Sequence, residues 1–248
     1  MSVAPTMDAQ LIVLKESRNE LVIWKPAGLS SERPGDTGRG STGVGSVKAL
    51  VARRLPGSVP KLPHRLDRVT RGLLLVALTD EAVAFHNAQI QARRWEKYYL
   101  ATVAAPADRA PGSFLGEHKA FLAEAGGRAQ LVRSGGKPSH LEILAAAPVP
   151  GRPDRWHLVI RLLTGRFHQI RVMCAGLGLP LPGDPLYDPE ARDPADFYLE
   201  HIILKYTDFD TQSVSTLFVP ECAERGALAP ALAELLVDLA AREALFAG

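Results

Sequence analysis

The feature that most constrains the fold is an excess of short apolar runs that do not alternate with helices. Seven such runs, most carrying β-branched residues, punctuate the chain: LIVL (11–14), ELVIWK (20–25), GLLLVAL (72–78), YYLATVA (98–104), HLEILAA (140–146), WHLVIRLL (156–163) and STLFVP (215–220). Runs of this length between turn residues read as strands. Helical signals are confined to a few places. VGSVKALVARRL (44–55) carries Leu50 and Leu55 on an apolar side, and DEAVAFHNAQIQARR (80–94) starts after Thr79 as N-cap with acids in its first turn. ALAPALAELLVDLAAREALF (227–246) keeps helical spacing to the end of the chain. A doubly wound fold would alternate the two element types. This order predicts an α+β fold with a central mixed, mostly antiparallel sheet and flanking helices and loops. Loops are expected at 26–43, 105–118, 124–139, 147–154 and 180–197, each marked by Gly, Pro or Asp. A length of 248 residues suits a single domain over 1–248, with lobes expected at 10–105 and 106–248.

Net charge is only +2, but it is unevenly spread. Arg53 to Lys97 holds nine Lys/Arg against four Asp/Glu, and Arg152 to Arg171 holds five Arg against one Asp. Such clusters suit phosphate contacts, and they equally suit solvated faces. Cys174 and Cys222 are too few and too far apart for a disulfide framework or a zinc site, and the histidines show no HxxxH or HExxH spacing. No metal is expected. GRGSTG (38–43) matches GxGxxG in form, but no strand runs into it and no GK[ST] follows, so no nucleotide cofactor is expected either. No apolar run reaches the roughly 18 residues of a membrane span, and MSVAPTMDAQ lacks the pattern of a signal peptide. A cytoplasmic protein without a membrane partner is the expectation.

Two segments stand out chemically. In LPHRLDRVTRGLLLVAL (62–78) a charged loop holding His64, Arg65, Asp67, Arg68 and Arg71 runs straight into an apolar strand. A strand end is a rigid mount for a reacting group, and nearby arginines keep a carboxylate ionised. Such an acid can serve as nucleophile or general base, or simply as a surface ion-pair partner. In and just before LLTGRFHQIRVMCAGLG (162–178), Arg161, Arg166 and Arg171 are spaced by five, with His168 and Gln169 between the last two, and the segment from His168 reads as a short helix closed by Gly176 or Gly178.

Together these segments resemble the RluA family of RNA pseudouridine synthases. LVIWKPAGLS (21–30) is similar to the family's strand followed by N/D-K-P-A-G, and HRLDRVTRGLLL (64–75) to its H-R-L-D-x-x-T-S-G-L-L-L signature, with Arg71 in place of Ser. KYYLATV (97–103) matches K-x-Y-x-A-x-V. GRFHQIRV (165–172) and GLPLPGDPLY (178–187) match the closing blocks. The likeness spans roughly residues 10 to 190.

The resemblance implies a pseudouridine synthase fold with an active-site cleft across the sheet and no N-terminal S4-type domain. It implies an isomerase, an intramolecular transferase that detaches uracil from N1 and rejoins it through C5 in tRNA or rRNA, without a cofactor. No obvious interface stripe is visible in the sequence, so a monomer is expected. Asp67 would be the attacking aspartate, Arg171 the arginine that pairs with it, and Tyr99 the aromatic residue on the uracil. Arg65 would hold the space left by the flipped base. His64, Arg68, Arg71, Lys97, Arg166, His168 and Gln169 would join it in meeting RNA. Extruding a base costs a few kcal/mol, which basic and aromatic surfaces offset. The alternative is a catalytically inactive RNA-binding protein on the same fold. Its support lies in Arg71 and in YLEHIILKY (198–206), which departs from the family's L-x-L-H-A-x-x-L.

Overall fold

The computed structural model describes residues 11–32, 45–106, 108–219 and 225–246. GRGSTG (38–43) and Cys222 lie outside the described residues. The chain forms two units, Met1–Asn87 and Ala88–Gly248.

In the first unit, β1 (Ile12–Glu16) pairs antiparallel with β2 (Glu20–Lys25), and β2 pairs antiparallel with β3 (Arg71–Ala77). Every residue of β3 is buried, which explains why its sequence is continuously apolar after Arg71 instead of alternating. α1 (Val47–Arg54) starts at Ser46, whose hydroxyl accepts a hydrogen bond from the Ala49 amide at 3.3 Å. α2 (Asp80–Gln91), whose last four residues count with the second unit, starts after Thr79, whose hydroxyl accepts from the Ala82 amide at 3.2 Å. Both are the side-chain caps expected of Ser and Thr at helix starts. His86 of α2 meets Glu20 of β2 at 2.7 Å, both fully buried.

The second unit contains β4 (Glu96–Ala104), β5 (Gly116–Ala125), β6 (Arg128–Val132), β7 (Lys137–Val149), β8 (Arg152–Leu162), β9 (Leu199–Thr207) and β10 (Val214–Phe218). Within it the strands run β10-β9-β4-β8-β7-β5-β6, each neighbouring pair antiparallel. α3 (Gln169–Gly176) and α4 (Pro230–Ala241) complete it. Leu232, Leu236 and Leu239 of α4 recur at helical spacing and pack on Tyr98, Leu100, Val159, Ile202 and Ile203. Burial of each leucine contributes about 1.5–3 kcal/mol.

The α+β expectation and the prevalence of antiparallel pairing agree with these elements, but three expected loops do not. Residues 124–139 contain all of β6, the end of the 105–118 loop opens β5, and most of 147–154 belongs to β7 and β8. Glycines here predict breaks, whereas Gly126 and Gly127 form a two-residue hairpin turn closed by the Ala125–Arg128 pair. Their φ values of 57° and 73° are those of a turn whose twist matches the flanking strands. β5 escapes detection because its inward face is short and only half-buried, so the alternation is weak.

Candidate active site

In the first unit the HRLD loop is held by its backbone. The Ser31 hydroxyl donates to the Leu66 carbonyl at 2.7 Å and accepts from the Leu66 amide at 3.3 Å. The Thr70 amide donates to the Asp67 carbonyl at 3.0 Å, closing the turn after Asp67, and the Gly28 amide donates to the Arg68 carbonyl at 2.7 Å. Lys25, fully buried, donates from Nζ to the carbonyls of Leu29 (2.7 Å), Pro26 (2.9 Å) and Arg68 (3.3 Å). It ties the KPAGL turn to the loop that carries Asp67. Burial pushes its ammonium down to about 7; the Asp67 carboxylate acts in the opposite sense, while Arg71 and Arg68 add to the depression. Asp67 is half-buried amid this positive charge.

The other residues of the loop differ in what they do. The Leu75 amide donates to His64 Nε2 at 3.0 Å, so the neutral ring carries its proton on Nδ1 and His64 braces the loop against β3. Arg65 and Arg68 are exposed, and Arg65 pairs with Glu32 at 3.0 Å. Arg71 is buried at the first position of β3.

In the second unit Tyr99 lies on β4, buried, with its ring stacked on His201 of β9 at 4.6 Å and 13°. The two residues are register partners across the strands. Arg171 on α3 is buried and gripped by Asp184, Nε to Oδ2 and Nη2 to Oδ1, both at 2.7 Å. Tyr187 and Phe197 present ring faces to its guanidinium at 5.1 and 5.8 Å.

The turn before α3 is equally fixed. Gln169 accepts from the Thr164 hydroxyl (2.8 Å) and the Arg166 amide (3.0 Å) and donates to the His140 carbonyl (3.1 Å). His168, at φ 52°, stacks on Phe167 at 3.7 Å and meets the Tyr187 hydroxyl through Nδ1 at 2.9 Å. Arg166 is exposed and donates from Nε to the Pro138 carbonyl at 3.1 Å. Of the residues expected to meet RNA, Arg65, Arg68 and Arg166 are therefore at the surface. His168 and Gln169 are buried supports of the turn.

Lys97 lies on β4 two residues before Tyr99 and on the same side of the strand. It is 8% exposed, and burial pushes its ammonium down to about 8. A lysine whose folded value is below its unfolded one loses stability while both states are protonated, below about pH 8. Stability is regained as the pH rises toward the unfolded value of 10.5. Lys97→Met is accordingly expected to raise unfolding free energy by about 1–3 kcal/mol at pH 7, with the gain fading between pH 8 and 10.5. Urea titrations at pH 7 and 10 check this, and equal gains at both would be inconsistent with it.

Asp184, His201 and Lys25 were not singled out from the sequence. Each sits in a matched or near-matched block, GDPLY, LEHII and KPAG, but a contact that gives it its role, with Arg171, Tyr99 and Arg68 respectively, joins it to another block. Burial pushes the Cys174 thiol up to about 12, which keeps it an inert core side chain. Among the described residues no group of three or more His, Cys, Asp or Glu could hold a metal ion, and no helix is long and apolar enough to cross a membrane.

Comparison with known proteins gives this geometry a context. The family model described as RNA pseudouridylate synthase matches residues 19–176, a span that includes Lys25, Asp67, Lys97, Tyr99 and Arg171. The dual-specificity RNA pseudouridine synthase RluA of Escherichia coli is 31% identical over 200 residues, covering 79% of this chain and 86% of that protein. Ribosomal large subunit pseudouridine synthase D of Nitrosomonas europaea is 34% identical over 199 residues, covering 75% of this chain and 52% of its own. An uncharacterized RNA pseudouridine synthase of Chloroflexus aurantiacus is 34% identical over 193 residues, 66% of this chain and 51% of the relative. The chain thus spans about half the length of the last two. Among solved structures, human RNA pseudouridylate synthase domain containing 1 superposes with a TM-score of 0.68 at 23% identity, over 98% of this chain and 99% of that one.

Proposed function

The chain belongs to the RNA pseudouridylate synthase family, and from that membership we propose that it converts uridine to pseudouridine within RNA. The observation that carries the reading is the mounting of Asp67 inside the family-matched span. Its backbone is fixed on both sides by Ser31, Thr70 and Lys25, and its carboxylate interacts electrostatically with the buried Lys25 ammonium. A fixed carboxylate with little freedom to reorganise is what nucleophilic attack on a flipped nucleotide needs.

In this reading Asp67 attacks the target uridine and bonds to it, the N1 glycosidic bond breaks, uracil rotates and rejoins the ribose through C5, and the bond to Asp67 is released. The C5 proton leaves to solvent and N1 takes one up, so atoms balance with no redox partner. Tyr99, its ring already held flat against His201, packs on the uracil. Arg171, locked in orientation by Asp184, holds a buried positive charge in the second unit. The substrate is tRNA or rRNA; relatives named for dual specificity and for the large ribosomal subunit support testing both.

Purified protein is expected to release tritium from tRNA or rRNA transcripts carrying 5-³H-uridine, with no free uracil by chromatography. Free uracil would instead mean a glycosidase that cleaves without rejoining, and no release from either pool would refute the assignment.

A further inference from the structure

We propose that Lys97 forms an anion subsite beneath Gly165 that takes a nonbridging oxygen of an RNA backbone phosphate, an inference that rests on the RNA-modifying function above. The buried lysines of this protein fall into two kinds. Lys25 satisfies its ammonium on three carbonyls, and Lys205 donates to the carbonyl of Arg242. Lys97 has no hydrogen bond or ion pair among the described residues, although it is as deeply placed as a core side chain. Across the strand it is registered with an apolar residue, Leu204 of β9. A desolvated ammonium without a partner is unfavourable in the free protein, so its stability is not the reason for having it.

Access to that ammonium is by way of a glycine. Gly165 is exposed, and a Cβ built on it would come within 3.3 Å of Lys97 Nζ. The cation therefore lies just under the surface at a point where the chain bears no side chain, which lets a ligand approach the backbone closely. Gln169 fixes the turn around Gly165 through Thr164, Arg166 and His140, so the opening is preformed. Arg166 next to it is exposed and adds positive charge at the approach. A compact point charge suits a phosphate oxygen, and the phosphates are the formal anions of RNA.

The test measures RNA affinity against salt concentration for wild type, Lys97→Met and Gly165→Val, using the tRNA or rRNA transcript pool that supports tritium release. Loss of one phosphate contact is expected to lower the slope of log K against log salt by about 0.7–0.9 in Lys97→Met. Gly165→Val, which keeps the lysine but covers it, is expected to lower the slope similarly. Both should raise KM for RNA more than they reduce kcat. Far-UV circular dichroism confirms folding of each variant. An unchanged slope in folded Lys97→Met, with wild type still releasing tritium, overturns the subsite and leaves the function standing. A fall confined to kcat overturns it too, by placing Lys97 in the chemistry. Wild type that neither binds RNA nor releases tritium removes the function and the subsite together.

Discussion

Asp67→Asn is expected to reduce tritium release by on the order of 10⁴-fold or more, the scale seen when a covalent nucleophile is removed. Asparagine keeps the size and shape of the side chain but has no anionic oxygen, so attack on the nucleotide stops at its first step. The loop itself should survive. Its shape rests on the Leu66 backbone bonded to Ser31, the Thr70 amide on the Asp67 carbonyl, and the Lys25 ammonium on the Arg68 carbonyl, none of which uses the carboxylate. RNA affinity should stay within about threefold, since the change removes a negative charge and no donor to phosphate. Loss of the carboxylate also removes the negative charge that raises Lys25, so its ammonium should titrate still lower than about 7. Measuring release and binding at pH 6.5 and 8 separates that effect from loss of the nucleophile. Retention of a tenth of wild-type activity would exclude Asp67 as the attacking group.

Asp184→Ala should have the largest effect on stability, about 3–5 kcal/mol, because it deletes one member of a buried ion pair and leaves the other charge in place. Both partners are almost wholly excluded from water, at 3% and 0% side-chain exposure for Arg171 and Asp184. The carboxylate also accepts from the amides of Leu186 (3.0 Å) and Tyr187 (3.3 Å), so the same substitution loosens the turn that brings Tyr187 to Ala129 and His168. Asp184→Asn should cost less, since the amide oxygen still accepts while its NH2 opposes one of the two guanidinium donors. Urea denaturation of the two variants gives both numbers. A loss under 1 kcal/mol for alanine would mean that Arg171 is oriented by something else. Activity should fall in both variants, more in alanine, because the Arg171 guanidinium is no longer held in direction.

What the sequence revealed and what it hid divide along physical lines. HRLD, GRFHQIR and KPAG are local strings whose chemistry is dense enough to be read in place. The strands behind them, GLLLVAL and WHLVIRLL, are apolar because they are buried. β5 and β6 were hidden because a half-exposed hairpin has little hydrophobic contrast and its Gly126-Gly127 turn resembles the glycines of any loop. Asp184 was quoted within a matched block without a role, since an acid 13 positions after an arginine reveals nothing about bidentate geometry until the chain is folded. The stacking of Tyr99 on His201 joins residues about a hundred positions apart, and the departure of YLEHIILKY from the family pattern concealed that its histidine had a structural use. Burial also divided residues that charge had grouped: Arg65 and Arg166 face solvent, while Arg71 and Lys97 do not.

The three carbonyls gathered by Lys25 resemble the oxygen cage of a bound alkali-metal ion, with one difference in kind. The ion at the centre is covalently attached to the cage. It cannot be dialysed away, chelated or exchanged for sodium, and its occupancy does not depend on the ionic composition around the protein. What can empty it is deprotonation, and that begins near neutrality. The loop bearing Asp67 is thus buffered against changes in salt, which strongly affect the grip of any protein on RNA, while remaining responsive to proton activity.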